Sequence, residues 1–513
     1  MGRQLLHPPR PTPPERRRLT PATPTRPDTE TEITVTLTPD PLPNPDVMPF
    51  LSCHSLFTIS HGLPVRDANG QPKSSDYGNA PRLLITPQNQ RRTGRTHMRD
   101  QANLGQGPLA ERSWGIRTRE WALAAADHLT HDHGWDRSEA LDTAREALSG
   151  LGVNFGTTPN TLHLTKVMLF APEKAGRDLA AIIDSTRAEI TTWARAAAKA
   201  RDAATKPKKK PRAKNDDDDP QSKDPGDGET STPAPKLPAL PVKIKNRLMA
   251  ALAPADAVDI ALYGRFLAEI AGAGNVDGAI QTTTAFTVEP ANITTDFFSS
   301  ADDRKIARQR QGTDFANMFE HLNAIDPTDG ENSDGENPAH ADDRGAGMTG
   351  YQSFISGTFY AHSALDRPLL RRNLRHGGVP ADEVEALAID VERAFLDAFV
   401  NAFSRSKQNT TAVPGTLPKL VLVHEGERPY NYAAVFEDAI QPADGAPSLL
   451  AARRLLRHHD MITRKRGTVP GAVLTYDLAI GELLEELTLT GRLGPTEVHT
   501  PEDLTPLTAG LPV

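Results

Sequence analysis

A chain of 513 residues exceeds one ordinary domain, and 37% apolar residues suffice for a core, but 44 prolines predict that part of the length never folds. No apolar run approaches the ~18 residues of a membrane span, the N-terminus lacks the apolar stretch of a secretory signal, and the single cysteine, Cys53, excludes a disulfide framework or a cysteine-rich zinc site; a cytoplasmic protein is expected. The formal charge of -8 is concentrated in Asp216 to Asp219 with Asp224, Asp227 and Glu229, and in Asp326 to Asp343, so the remainder is near neutral with local arginine clusters and a nucleic-acid partner is not excluded.

Residues 1–47 hold twelve prolines and almost no apolar periodicity, the composition of an extended, solvated tail. Met48 stands directly before the first strand-like run, so this tract is either an appendage or lies upstream of the true start at Met48, the second reading being preferred. In Leu51-Ser52-Cys53-His54-Ser55-Leu56-Phe57-Thr58-Ile59 the apolar residues fall mostly on alternate positions, as a half-buried strand requires. A loop carrying the turn formers Asn69-Gly70, Pro72 and Gly78-Asn79 leads to a short strand over Arg82–Ile85. Thr86-Pro87 then reads as helix cap and first helical position, because the hydroxyl satisfies a free backbone N–H and proline has none to lose. The helix it opens runs through Gln88, Arg91, Arg92, Arg95 and Arg99.

Residues 117–205 are predicted mainly helical, apart from a strand in the apolar run Leu162 to Phe170. The segment 206–241 sets a basic block (Lys208, Lys209, Lys210, Arg212, Lys214) beside an acidic one, a pattern of solvated linkers. A helix near 242–252 and a strand over Ala257–Tyr263 are expected next. The polar region Asp302–Tyr351 holds a second Gly/Asp/Asn-rich insert. A strand over Tyr351–Tyr360, a helix at 381–403, a strand at Lys419–Val423 and a helix at 430–440 complete the order. Strands spaced widely by helices predict an α+β domain with large insertions. There is no internal repeat.

Catalytic signals are few. His128, His131, Asp132, His133 and Asp136 are spaced closely enough to bind zinc, but they fall at a helix end, where such residues serve as caps, and no distant ligand set accompanies them. There is no Gly-x-Ser-x-Gly elbow and no P-loop. Gly272, Gly274 and Gly278 lack the strand-turn-helix context of a phosphate cradle, and Cys53 reads as core packing.

Four segments, in order, resemble the CasC family of type I-E CRISPR Cascade complexes. The first is Ile59-Ser60-His61 with Arg66-Asp67, Lys73 and Thr86-Pro87-Gln88-Asn89-Gln90-Arg91-Arg92. The second is Val258-Asp259-Ile260-Ala261-Leu262-Tyr263-Gly264-Arg265-Phe266, continuing into Asn275-Val276-Asp277-Gly278-Ala279. The third is Asp296-Phe297-Phe298 through Ala301-Asp302-Asp303, with Ser356-Gly357-Thr358-Phe359-Tyr360. The fourth is Ser406-Lys407-Gln408-Asn409. Val65, Ala68 and Pro87 depart from the family pattern, which has asparagine, an acidic residue and serine there.

The resemblance implies a right-hand architecture. Its palm is an RRM-like (ferredoxin-like) sheet in pieces 48–100, 242–295 and, with C-terminal helices, 351–513; helical fingers occupy 101–205 and a thumb hairpin 296–350, while 1–47 and 206–241 are disordered. It implies a CRISPR RNA-binding backbone subunit that polymerises along the guide with further copies of itself and other Cascade subunits, presents bases for pairing with target DNA, and needs neither cofactor nor metal nor membrane. Such a protein grips sugar-phosphate without reading sequence. Gln88, Arg91, Arg92 and Arg95, at i, i+3, i+4 and i+7, are expected to form one cationic face at a helix start, assisted by Arg66, Lys73 and Lys407. Replacing Arg91 and Arg92 with Glu is expected to abolish assembly and leave the fold intact. Phe266, Met348 and Tyr351 are the candidate base wedges, with Phe354 divided between that role and the core, and Arg304, Lys305, Arg308 and Arg310 add charge at the thumb base. A metal-dependent RNA hydrolase and a general single-stranded RNA coat protein are the alternatives.

Overall fold

The computed structural model describes residues 47–205, 238–255, 257–267, 269–270, 274–301 and 346–500. The proline-rich tract, most of the charged linker, the acidic insert and the arginines from Arg304 to Arg310 lie outside them.

The strands are β1 (Phe50–Gly62), β2 (Ser74–Tyr77), β3 (Ala80–Ile85), β4 (Gly115–Thr118), β5 (Leu169–Pro172), β6 (Ile280–Thr282), β7 (Ala285–Thr287), β8 (Asn292–Ala301), β9 (Ala346–Asp366), β10 (Pro418–Gly426), β11 (Val469–Leu474) and β12 (Glu497–His499). The helices are α1 (Pro87–Asn103), α2 (Trp121–His133), α3 (Arg137–Ser149), α4 (Ala175–Ser185), α5 (Arg187–Thr205), α6 (Val242–Ala251), α7 (Val258–Tyr263), α8 (Arg367–His376), α9 (Val384–Asn401), the one-turn α10 (Gln408–Thr411), α11 (Pro447–Arg466) and α12 (Leu478–Leu489).

The result is a mixed α+β protein built on a large, mostly antiparallel sheet of order β12-β11-β10-β1-β9-β7-β3-β2, with β6 and β8 also paired to β9. β1 lies between β10 and β9, antiparallel to both. Its alternation predicts one solvated face, yet Leu51 through Phe57 are all buried. Leu51 and Cys53 pack beneath α1, α8 and α9, whereas Leu56 faces α11 and α12 on the opposite side. The polar Ser52 and His54, which read as outward positions, are buried as well. Buried ion pairs lock the first layer: Arg367 of α8 binds Glu392 of α9 at 2.9 Å and Glu425 of β10 at 2.8 Å, and Arg371 reaches Glu392 at 2.7 Å.

A separate core joins α2–α6 and includes Trp121, Leu129, Trp135, Leu179 and Ile183. Ile244 and Leu248 of α6 belong to this helical core, so the chain returns to it after the linker. Among the described residues no helix is long and apolar enough to cross a membrane.

Three expected elements differ. In the run Ala257–Tyr263, expected as a strand, Val258–Tyr263 is a helix; Val258 through Leu262 are buried all round, and a short run without a solvated face has no period to read. Only Leu169–Pro172 of the apolar run near 162–170 is a strand, paired with β4. At 430–440 there is one 3-10 turn, Ala433–Phe436, because tertiary donors take the carbonyls a helix would use: Tyr77 Oη donates to Ala433 O at 3.2 Å, and Arg82 donates to Phe436 O at 2.9 Å and Glu437 O at 3.3 Å.

Candidate nucleic-acid interface

Thr86 caps α1, its hydroxyl accepting from Asn89 N at 3.4 Å, with Pro87 in the first turn. The four residues expected on one cationic face divide between two directions. Gln88 and Arg92 are exposed, whereas Arg91 and Arg95 are only partly so. Arg91 Nη2 donates to Tyr263 O at 2.7 Å, its guanidinium 5.8 Å from the Tyr263 ring, and burial draws its pKa below the usual arginine range against the pull of that tyrosine. Arg95 Nη1 lies 3.4 Å from Asp259 Oδ2 and 3.4 Å from Gly115 O, and its guanidinium covers the Phe170 ring at 5.0 Å. Asp259 is fully buried and also accepts from Gly115 N at 2.7 Å; burial pushes its carboxyl up to about 6, against the Gly115 N–H and Arg95. Gly278 permits the approach of Arg91, since a Cβ there would stand 2.9 Å from the guanidinium and 2.8 Å from Tyr263 O.

Arg92 opens onto a groove of about 510 Å³ between α1 and the segment after α9. Asn89, Thr93, Thr96 and His97 line one wall, and Ser404, Arg405 and Ser406 the other. The walls are fixed by hydrogen bonds. Ser404 Oγ donates to Pro64 O at 3.0 Å, Asn89 Nδ2 donates to the same carbonyl at 3.3 Å, and Arg405 pairs with Asp100 at 3.2 Å. His97 Nε2 lies 2.7 Å from Asp397; burial would raise that carboxyl, but the bonds from His97 and Asn401 hold it below its usual range. A neighbouring cavity between the sheet, α1 and α9 measures about 80 Å³, far below the ~300 Å³ of a ligand pocket.

The loop after Pro64 carries Arg66, exposed, and Lys73, half-buried. Asp67 shapes it, accepting from Asn69 N and Gln71 N at 2.8 Å each. The ammonium of Lys407 is already engaged: Nζ donates to Gln352 Oε1 at 2.6 Å and lies 6.0 Å from the Phe354 ring.

β9 outruns the sheet. Its pairing with β1 ends at Ile355, and from there to Ala346, among the described residues, only β8 accompanies it, as a two-stranded hairpin beyond the sheet edge. On this stem Tyr351 (75% exposed) and Phe297 (55% exposed) are paired across the strands with rings 5.3 Å apart. Met348 stands in the same strand opposite Ser300. Phe266 is exposed too, but it follows α7 and is not on the hairpin. Its neighbour Arg265 is buried, donating to Gly274 O at 3.1 Å, and is drawn down to about 10 by burial. Arg405, His97 and Phe297 escaped the sequence reading. Arg405 sits immediately before a matched turn and Phe297 within a matched segment, but only cross-strand register and the α1 contacts give them a place.

The histidine cluster of α2 does not converge. His128 pairs with Asp132 at 2.7 Å, His131 Nδ1 faces Asp127 O at 3.0 Å, His133 pairs with Asp184 at 3.2 Å and Asp136 caps α3. Among the described residues no group of three or more His, Cys, Asp or Glu is placed to hold a metal ion.

A covered, mostly antiparallel sheet, a polar groove at a helix start and a hairpin bearing exposed rings define a mixed α+β protein. Residues 51–325 and 334–485 match the family described as CT1975-like protein, and the chain belongs to that family. Its fold is similar to that of a chain in a CRISPR RNA-guided surveillance complex, pre-nicking, with 25% identity and a TM-score of 0.57 over 83% of this chain and 92% of that one. A chain of another CRISPR RNA-guided surveillance complex shares the fold at 22% identity and a TM-score of 0.51, over 83% of this chain and 91% of that one. No curated protein matches the chain.

Proposed function

We propose that this protein is a non-catalytic CRISPR RNA-binding backbone subunit of a type I-E Cascade interference complex. In this reading the sheet with α1 and α9 is an RRM-like palm, α2–α6 with β4 and β5 are the fingers, and β8–β9 is the thumb. The observation that carries it is the juxtaposition, through one short segment, of a polar groove with a ring-bearing hairpin. Arg92 and Gln88, helped by Arg66 and Lys73, grip the phosphates of single-stranded RNA, while Arg91 and Arg95 hold α1 against α7 behind them. The Phe297–Tyr351 pair is the favoured wedge, since bases stack on any exposed ring whatever their identity; Met348 shares its strand, and Phe266 stands apart from it. Further copies add head to tail along the guide, a heterologous contact that stays open until capped, and the exposed bases pair with target DNA.

The test is to purify the full chain with and without a repeat-derived guide RNA. Multi-subunit particles carrying the guide, weakened by salt as counterion release requires, are expected. A strictly monomeric one-to-one complex, or no binding to single-stranded RNA at low ionic strength, would refute the reading. Equal recovery of unrelated RNA would indicate a general coat protein, and metal-dependent cleavage of the RNA a hydrolase.

A further inference from the structure

We infer that Lys407 is a positioning residue, which fixes the angle at which the β8–β9 hairpin leaves the sheet instead of contacting the guide. Lys407 lies in the left-handed region, with φ of 52° and ψ of 31°, at the start of α10. A side chain in that region is strained, and glycine would sit there without strain. Such strain persists where the surroundings hold it and the side chain has a task. What lysine supplies and glycine does not is an ammonium, and this one is bound 2.6 Å from Gln352 Oε1 and rests near the Phe354 ring.

The place of that contact is the second observation. Gln352 and Phe354, two apart in a strand, share one face of β9. They lie just beyond Ile355, the last position at which β1 supports β9. Ser356, next on that face, accepts at Oγ from His61 N at 3.0 Å, and His61 is itself a non-glycine residue at a φ of 53°. Two left-handed residues from separate parts of the chain thus meet β9 where it departs from the sheet. The turn that carries Lys407 is also tied to the groove, through Ser404 Oγ and Pro64 O. Groove and hairpin therefore move as one body, and the distance between backbone grip and base wedge is fixed. This deepens the RNA-backbone reading and rests on it.

The experiment compares wild-type full chain with Lys407→Ala, Gln352→Ala and the double variant. Hydrogen exchange on free protein reads the hinge without RNA. Both single variants are expected to raise exchange of the 346–356 amides about tenfold, with the double variant no worse than either. On single-stranded RNA bearing 2-aminopurine, both should lose the fluorescence of unstacked bases. Their salt slopes should match wild type, because no phosphate contact is removed. If Lys407→Ala alone lowers the slope of log K against log salt by about 0.7, Lys407 is a phosphate contact and the inference fails. Unchanged exchange in both variants refutes it as well. Should wild type ignore RNA, the functional reading falls, while the exchange result still decides the hinge.

Discussion

Arg91 sends its guanidinium inward to the Tyr263 carbonyl, 2.7 Å away, while Arg92, about 100° further round a helix of 3.6 residues per turn, stays at the groove. Both fit the periodicity that marked the cationic face. The choice between them is made by a carbonyl 172 residues distant in sequence, which no local pattern reveals. Their variants should separate accordingly. Arg91→Ala removes a charged donor from a part-buried carbonyl and should cost about 1–3 kcal/mol in urea unfolding. Arg92→Ala should leave stability within about 0.5 kcal/mol but reduce the salt slope of RNA binding by about 0.7, one phosphate contact on a single strand. Replacing both residues by Glu is therefore expected to cost stability as well as grip, and Arg92→Glu alone tests the grip cleanly.

Elements were legible where one face is wet and opaque where none is. α1 and α9 each carry a solvated side, and Thr86-Pro87 marks the start of α1 by chemistry that acts locally. α7 has no such side, and its β-branched Val258 and Ile260 imitate a strand. What makes it a helix is tertiary: the Asp259 carboxylate in its first turn binds Gly115 N and Arg95 at once. Asp259→Ala strands that N–H and weakens the hold on α1, so a loss on the order of 3 kcal/mol is expected, reported by the fluorescence of the adjacent Trp114. Asp259→Asn keeps an acceptor for the N–H and should lose less. On the hairpin, Phe297→Ser with Tyr351→Ser leaves backbone pairing intact and removes both rings. RNA affinity should fall by about 1–3 kcal/mol per lost stack with the salt slope unchanged.

At the scale of the molecule, the decisive feature is that both faces of the sheet are covered. An RRM stacks bases on an open sheet face; here Tyr360, Tyr432 and Phe436 are packed against α11, so in the proposed reading RNA contact is left to the groove and hairpin. His54, Tyr360 and His424 form a hydrogen-bonded chain in that layer. His424 Nδ1 faces Glu425 O at 3.5 Å and must donate, so its Nε2 accepts from His54 Nε2 at 3.1 Å, and His54 Nδ1 accepts from Tyr360 Oη at 2.9 Å, which takes Tyr432 N–H at 3.2 Å. Every role in this chain needs neutral rings. Burial holds His54 and His424 well below the ordinary histidine range, and the neighbouring His362 and His459 push both the same way. Burial likewise takes His362 down to about 4, neither ring nitrogen having a hydrogen-bond partner among the described residues. A group whose folded pKa is depressed binds its proton more readily unfolded, so stability is full above about 6.5 and declines as pH falls toward 4. For His362 alone the difference corresponds to about 3 kcal/mol between those limits. Urea midpoints measured from pH 7.5 to 4.5 should fall steadily, and a His362→Leu variant should show a shallower decline. A midpoint independent of pH across that window would mean that these rings are hydrated and that α11 does not close the sheet.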